Sequence, residues 1–239
     1  MTAPSLDHRR VIAIDGPAAA GKTTVARDLA HSLGATLFDT GALYRSITLA
    51  ALRNGIDRND EAAVAEIAHS AVIELRPPSV DDGRQVDVWL DGEDVTWQIR
   101  TPLVDANVSD VSKHPGVRRA LLDLQREIAS GKPVVMVGRD IGTVVTPDAG
   151  VKIFLDASVE ERARRRMAEL EARGVPFDAN AIVADLRERD RIDSTRAHSP
   201  LSAADDAIHV LSDGKSIDAV VDEIAAIVRK AWCAMGFTA

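Results

Sequence analysis

Cysteine is nearly absent: Cys233 is the only one in 239 residues, which excludes an internal disulfide and a thiolate metal cluster and fits a reducing compartment. Aromatic residues make up 3% of the chain, so the core has to be built from Ala, Val, Leu and Ile around helices and aliphatic strands. No apolar run is long enough to span a membrane. The N-terminus is polar as far as Arg10 and then enters Val11–Ile14 directly, without the longer apolar stretch of a signal peptide; a cytoplasmic protein is expected. Positive charge is in deficit, the formal net charge being -8, which argues against nucleic acid polymers and anionic membranes as partners.

The basic residues that are present are unevenly placed. Between Arg162 and Arg196 stand Arg164, Arg165, Arg166, Arg173, Arg187, Arg189 and Arg191, a concentration of guanidinium groups that suits a small polyanion. The six histidines, His8, His31, His69, His114, His198 and His209, are scattered and form no Ser-His-Asp or H-E-x-x-H pattern.

Periodicity gives the organisation. A short apolar run, Val11–Ile14, ends at Asp15 and a glycine-bearing turn, and Lys22–Leu33 follows with helical spacing closed by Gly34. A second extended stretch at Thr36–Phe38 precedes helices over Ala42–Arg53 and Asp60–Ser70. From 71 to about 108 the texture alternates as in small antiparallel strands. A helix over Val117–Ser130 leads to the continuous apolar run Pro133–Val137, and Val151–Leu155 repeats that pattern. Helices over Val159–Arg173 and Asn180–Arg191, a strand at Ala207–Leu211 and a helix over Ser216–Ala234 complete the series. Strands alternating with helices predict an α/β fold, a parallel sheet flanked by helices with ligands outside the strand carboxyl ends. With no linker in view, one domain over 1–239 is expected.

The segment Gly16-Pro17-Ala18-Ala19-Ala20-Gly21-Lys22-Thr23 matches G-x-x-x-x-G-K-[ST], after a strand and at a helix start. Its main-chain N–H groups would face nucleotide phosphates, Lys22 would bridge the β and γ oxygens, and Thr23 would hold magnesium. This points to ATP as phosphate donor and leaves the acceptor open. A nucleotide switch is the rival from another class, but the chain has no N-K-x-D for reading guanine.

Further motifs narrow the acceptor. They are Asp39-Thr40-Gly41-Ala42-Leu43-Tyr44-Arg45, Gly92-Glu93-Asp94-Val95 with Ile99-Arg100-Thr101, Val137-Gly138-Arg139-Asp140-Ile141-Gly142-Thr143-Val144-Val145, Lys152 to Ser158, Glu161-Arg162-Ala163 and Glu188-Arg189-Asp190-Arg191. Together they resemble the bacterial cytidylate kinases, which phosphorylate CMP and dCMP with ATP, and the resemblance spans nearly the whole chain. It implies a P-loop kinase core, a nucleoside monophosphate lobe at about 71–108 and an arginine-rich helical lid at about 159–196. It implies cytosine recognition by Ser109, Arg118 and Asp140, acceptor phosphate binding by Arg45, Arg139 and Arg196 beside Thr40, and ribose contacts from Arg189 and Asp193. Lys22, Arg139, Arg162 and Arg196 would be the catalytic cations, with Thr24, Arg162 and Arg166 joining the P-loop at ATP, Mg2+ as cofactor and a monomer as the assembly. Arg165 falls in the same lid. Two alternatives stay open: Asp140 ends an apolar strand as a magnesium-supporting aspartate does, and family members often carry Gly or Ser at the position of Thr23, so either Thr23 or Thr24 supplies the magnesium hydroxyl. Thr40 stands where serine is common.

Overall fold

The structure, a computed structural model, describes residues 8–172 and 174–237. Arg173 and the polar residues before His8 lie outside the described residues. By contacts the chain divides into two compact units: one runs up to Leu37 and resumes at Ala129, and the other is Phe38–Ile128.

The first unit is built on a five-stranded sheet of order β2-β6-β1-β7-β8, comprising β1 Val11–Asp15, β2 Thr36–Asp39, β6 Val134–Val137, β7 Val151–Asp156 and β8 Ile208–Leu211. The unit boundary falls inside β2. β1 runs parallel to both β6 and β7, with Ile14 opposite Val137 and Ile153. Because β1 and β6 are covered on both faces, their residues are apolar almost without interruption, and each is buried throughout. Helices α1 (Lys22–Leu33) and α8 (Ile217–Ala234) supply Val25, Leu29, Val221, Ile224, Val228 and Trp232 to this core. A second cluster joins Ala18 to Ala163 of α6 (Val159–Ala172) and Leu186 of α7 (Ala179–Thr195). It seats the phosphate loop on the arginine-bearing helices.

The other unit carries α2 (Gly41–Arg53), α3 (Glu61–Ser70), a three-stranded antiparallel sheet and α4 (Pro102–Ser112), and α5 (Pro115–Ala129) ends at its boundary. Its strands are β3 Ile73–Arg76, β4 Asp87–Leu90 and β5 Glu93–Asp94. Asp91 and Gly92, both at positive φ, make the two-residue turn between Leu90 and Glu93, whose twist matches that of the paired strands. Val88, Leu90, Val95 and Ile99 pack with Ala42 and Ala50 of α2. Arg84 donates to Asp82, Asp87 and Asp94, and the Trp97 indole donates to Asp82 at 2.8 Å. The antiparallel texture is therefore real but stops before α4. Sequence reading misses that helix because its buried face is short, built of β-branched Val104, Val108 and Val111 and interrupted by the polar residues Asn107 and Ser112, although Pro102 marks its first turn. α7 also runs to Thr195, one turn beyond the predicted end at Arg191.

Candidate active site

The phosphate loop leaves β1 through Gly16, whose position admits no side chain: a Cβ there would lie 2.0 Å from the Leu155 carbonyl oxygen of β7. Ala19 adopts φ 60°, a left-handed conformation that costs a non-glycine residue roughly 1–2 kcal/mol. The loop carbonyls are engaged by cations. The Lys22 ammonium donates to Gly16 and Pro17 at 2.8 and 2.6 Å, Arg162 Nη1 donates to Ala18 at 3.1 Å, and Arg165 Nη1 to Ala20 at 3.1 Å. The Gly21 carbonyl accepts from Val25 N–H and opens α1. Carbonyls held in this way leave the loop's N–H groups and the positive end of α1 as the natural seat of an anion. Thr23 and Thr24 sit half-buried in the first turn, and a hydroxyl oxygen there suits magnesium, a hard ion that takes oxygen ligands.

Arg162 is 3% exposed, and its guanidinium also donates to Ala157 O at 3.0 Å and to both carboxylate oxygens of Asp190 at 3.0 and 2.5 Å. Arg165 bonds Glu161 at 2.8 Å and Ser212 at 3.0 and 2.8 Å. Arg166 pairs with Glu169 at 2.8 Å on a more open face, and Arg164 with Glu161.

In the same unit, β6 ends in Gly138-Arg139-Asp140, followed by a wide turn over Ile141–Val145 in which Val145 N–H reaches back to Asp140 O and Thr146 N–H to Ile141 O. Arg139 Nε donates to Asp193 at 2.9 Å. Arg196 lies 3.9 Å from Asp193 and 3.8 Å from Asp140. Burial alone would push the Asp193 carboxyl up, but the charges of Arg139 and Arg196, the Arg139 hydrogen bond and the charge of Arg189 outweigh it and hold the group below its ordinary value. Arg139, Asp140, Arg189, Asp193 and Arg196, drawn from β6's end and α7, are thus one electrostatic group.

Asp15, which sequence reading places at a strand end but in no site, belongs beside them. Burial pushes its carboxyl up to about 6, against the pull of N–H donors from Gly142 and Ile141; the charge of Asp140 adds to the rise and that of Lys22 opposes it.

The second unit holds the remaining predicted residues. Thr40, 3% exposed, precedes α2, and Arg45 on that helix donates to Ile99 O at 3.1 Å and Asp105 Oδ1 at 2.6 Å. Ser109 is half-buried on α4. Arg118 of α5 donates to Ser112 O at 3.0 Å, and its guanidinium carbon lies 5.2 Å from the Tyr44 ring centroid. Gln125 Nε2 reaches the Tyr44 hydroxyl at 3.4 Å. The partners Asp105 and Tyr44 carry no site role in the sequence reading. Tyr44 lies inside a quoted motif, whereas nothing local marks Asp105, sixty positions from Arg45.

Known proteins resemble the chain over most of its length. The chain is 51% identical over 217 residues to a cytidylate kinase of Pelotomaculum thermopropionicum, covering 91% of this chain and 95% of that protein. It is 49% identical to one of Chloroflexus aggregans, with 92% and 93% covered. A bifunctional pantoate ligase/cytidylate kinase of Synechococcus elongatus is 48% identical over 93% of this chain, which spans 42% of that longer protein. Among solved structures, a gluconokinase from Sinorhizobium meliloti overlays with TM-score 0.45 at 15% identity, covering 92% of this chain and 91% of that one. The profile of the cytidylate kinase family matches residues 12–230; with its phosphate loop on β1 and its arginines gathered around Asp193, the chain belongs to the cytidylate kinase family.

Proposed function

We propose that the chain transfers the γ-phosphoryl group of ATP to CMP or dCMP, giving CDP or dCDP and ADP, as a cytoplasmic monomer. The observation that carries this reading is the group around Asp193. A switch protein needs no acceptor site, whereas Arg139, Arg189 and Arg196 with Asp140 and Asp193 offer a second nucleotide both cations and hydrogen-bond acceptors.

In this reading the loop from Gly16 to Thr24 binds the triphosphate and Lys22 bridges the β and γ oxygens. Magnesium, held by the hydroxyl of Thr23 or Thr24 and by the phosphates, supplies charge neutralisation when bound. Arg45, Arg139 and Arg196 take the acceptor phosphate next to Thr40, Arg189 and Asp193 the ribose, and Ser109, Arg118 and Asp140 the cytosine. Cytosine presents an amino donor where uracil presents an acceptor, so a buried carboxylate rewards the first and repels the second. Residues 71–108 serve as the monophosphate lobe and 159–196 as the lid. Arg162 and Arg166 act at ATP from that lid, Arg162 by exchanging the Asp190 oxygens for phosphate oxygens, one oxyanion partner for another. The attacking atom is a CMP phosphate oxygen, already largely anionic near neutral pH, so no general base is required; positioning and charge neutralisation supply the catalysis.

ADP release measured across CMP, dCMP, UMP and AMP tests the reaction, and it fails if CMP is not among the best acceptors. CMP should bind without ATP and lose that binding on Arg139→Ala. Asp140→Asn should weaken the preference for CMP over UMP more than it weakens ATP binding. An equal loss with both acceptors assigns Asp140 to magnesium instead.

A further inference from the structure

The turn bearing Asp140 is fixed from two sides. On one side its own wide turn engages the main chain, since Asp140 O accepts from Val144 and Val145 N–H at 2.9 and 3.1 Å. On the other side stands Asp15, the last residue of β1, 4% exposed. Its Oδ1 accepts from Ile141 N–H and its Oδ2 from Gly142 N–H, each at 2.8 Å. Asp140 itself has φ -146° and ψ 26°, neither strand nor helix, so no regular element fixes its direction and these flanking bonds bear on it, together with the Arg196 guanidinium 3.8 Å away. The Asp15 clamp needs two acceptor oxygens on one planar group, which a carboxylate has and an amide lacks. Glycine at residue 142 leaves room beside the turn for the Lys152 side chain, whose Cδ and Cγ would stand 3.1 and 3.2 Å from a Cβ there. Burying a carboxylate near a second one is costly unless its hydrogen bonds are made, and here they are made to the turn that carries Asp140.

We propose that Asp15 is a positioning residue for acceptor choice: by clamping the Ile141 and Gly142 N–H groups it sets the direction in which Asp140 presents its carboxylate, and so governs the preference for CMP over UMP. The inference rests on the reading of Asp140 as the cytosine-recognising group. It ties the strand that launches the phosphate loop to the turn that selects the acceptor.

The test compares kcat/KM for CMP and UMP at saturating ATP in the unaltered protein, Asp15→Asn, Asp140→Asn and the double variant. The ratio of the two acceptors cancels any damage common to both, including damage felt through Lys22. In Asp15→Asn the amide NH2 faces a main-chain donor, and the ratio is expected to fall about tenfold. The double variant should fall no further than Asp140→Asn alone, because both changes act through one carboxylate. A reduced ratio in Asp140→Asn with an unaltered ratio in Asp15→Asn overturns the proposal, as do losses that multiply in the double variant. If Asp140→Asn leaves the ratio unaltered, the reading of Asp140 itself falls, a different outcome from the first. Should Asp15→Asn not fold, Asp15→Glu keeps both acceptor oxygens and moves them by one methylene relative to the Ile141 and Gly142 N–H groups. It should lower the ratio in the same direction by less, and an unaltered ratio there also overturns the proposal.

Discussion

The two units hold their arginines differently. In the unit built on the parallel sheet, Arg162 binds both oxygens of Asp190 and two main-chain carbonyls, one of them in the phosphate loop, and Arg139 binds a buried Asp193. In the unit of residues 38–128, Arg45 meets an Asp105 that is 19% exposed, and Arg118 lies over the face of Tyr44. Arginines of both units also hold main-chain carbonyls, so the difference lies in the carboxylate: a cation that neutralises the buried Asp193 or both oxygens of Asp190 should damage folding as well as catalysis when lost. A cation of the second kind meets a partly exposed carboxylate or an aromatic face, so its loss strands no buried charge and should damage binding more than stability.

The largest effect should follow from Lys22→Ala. It removes the bridging charge and releases the Gly16 and Pro17 carbonyls together, and kcat is expected to drop on the order of a thousandfold. A loss below tenfold in the coupled assay would break the first half of the comparison.

Next in size is a pH effect from Asp15. Its folded pKa of about 6 lies above the ordinary 3.8, so the folded chain binds the extra proton first. Acidification from pH 7 to 4 therefore stabilises the fold relative to Asp15→Asn, by at most roughly 3 kcal/mol, the free-energy equivalent of the gap between the folded and unfolded values. Urea unfolding of the two proteins across that range checks the sign; a difference that stays flat would refute it. Asp94 in the other unit has the opposite sign: hydrogen bonds from Thr96 and then Arg84 hold it down to about 2. Its contribution is present at neutral pH and is lost as pH falls from about 4 through 2.

Arg139→Ala and Arg45→Ala set the two modes side by side. Both should weaken CMP binding, but only the first leaves a buried carboxylate short of a partner. It should cost about 2 kcal/mol of stability, below the 3–5 typical of a stranded charge because Arg196 and Arg189 remain near Asp193. Arg45→Ala should cost less than about 1 kcal/mol. Equal destabilisation in thermal melts would erase the distinction.

Legibility in the sequence divides instead between local patterns and bonds that reach far along the chain. The phosphate loop, α1 with its Gly34 stop and the buried strands β1 and β6 are local patterns, and the helix limits at Lys22 and Leu33 coincide with the predicted ones. The wide turn after Asp140 is not legible, because its bonds depend on Asp15, 126 and 127 positions from their donors. Nor are the partners of Arg45 and Arg162, since a carboxylate far along the chain leaves no spacing to read. Asp190 lies inside the motif Glu188-Arg189-Asp190-Arg191, but only the packing of α6 against α7 pairs it with Arg162.

The smallest effect belongs to Tyr44. A guanidinium 5.2 Å from an aromatic centroid gains at least about 0.5–1 kcal/mol; Arg118 and Tyr44 are both buried, and Arg118 keeps its bond to the Ser112 carbonyl when the ring is lost, so the lower figure is expected. Tyr44→Leu removes the face and should raise the KM for CMP about twofold, the binding equivalent of that energy, while the KM for ATP stays put. Tyr44→Phe keeps the face and gives up only the hydroxyl, whose 3.4 Å contact with Gln125 is long for a hydrogen bond, so CMP binding should be restored. If Phe behaves like Leu, the hydroxyl rather than the ring orients Arg118. The second unit would then hold this arginine through polar bonds alone, the Ser112 carbonyl among them, with no share for the aromatic face.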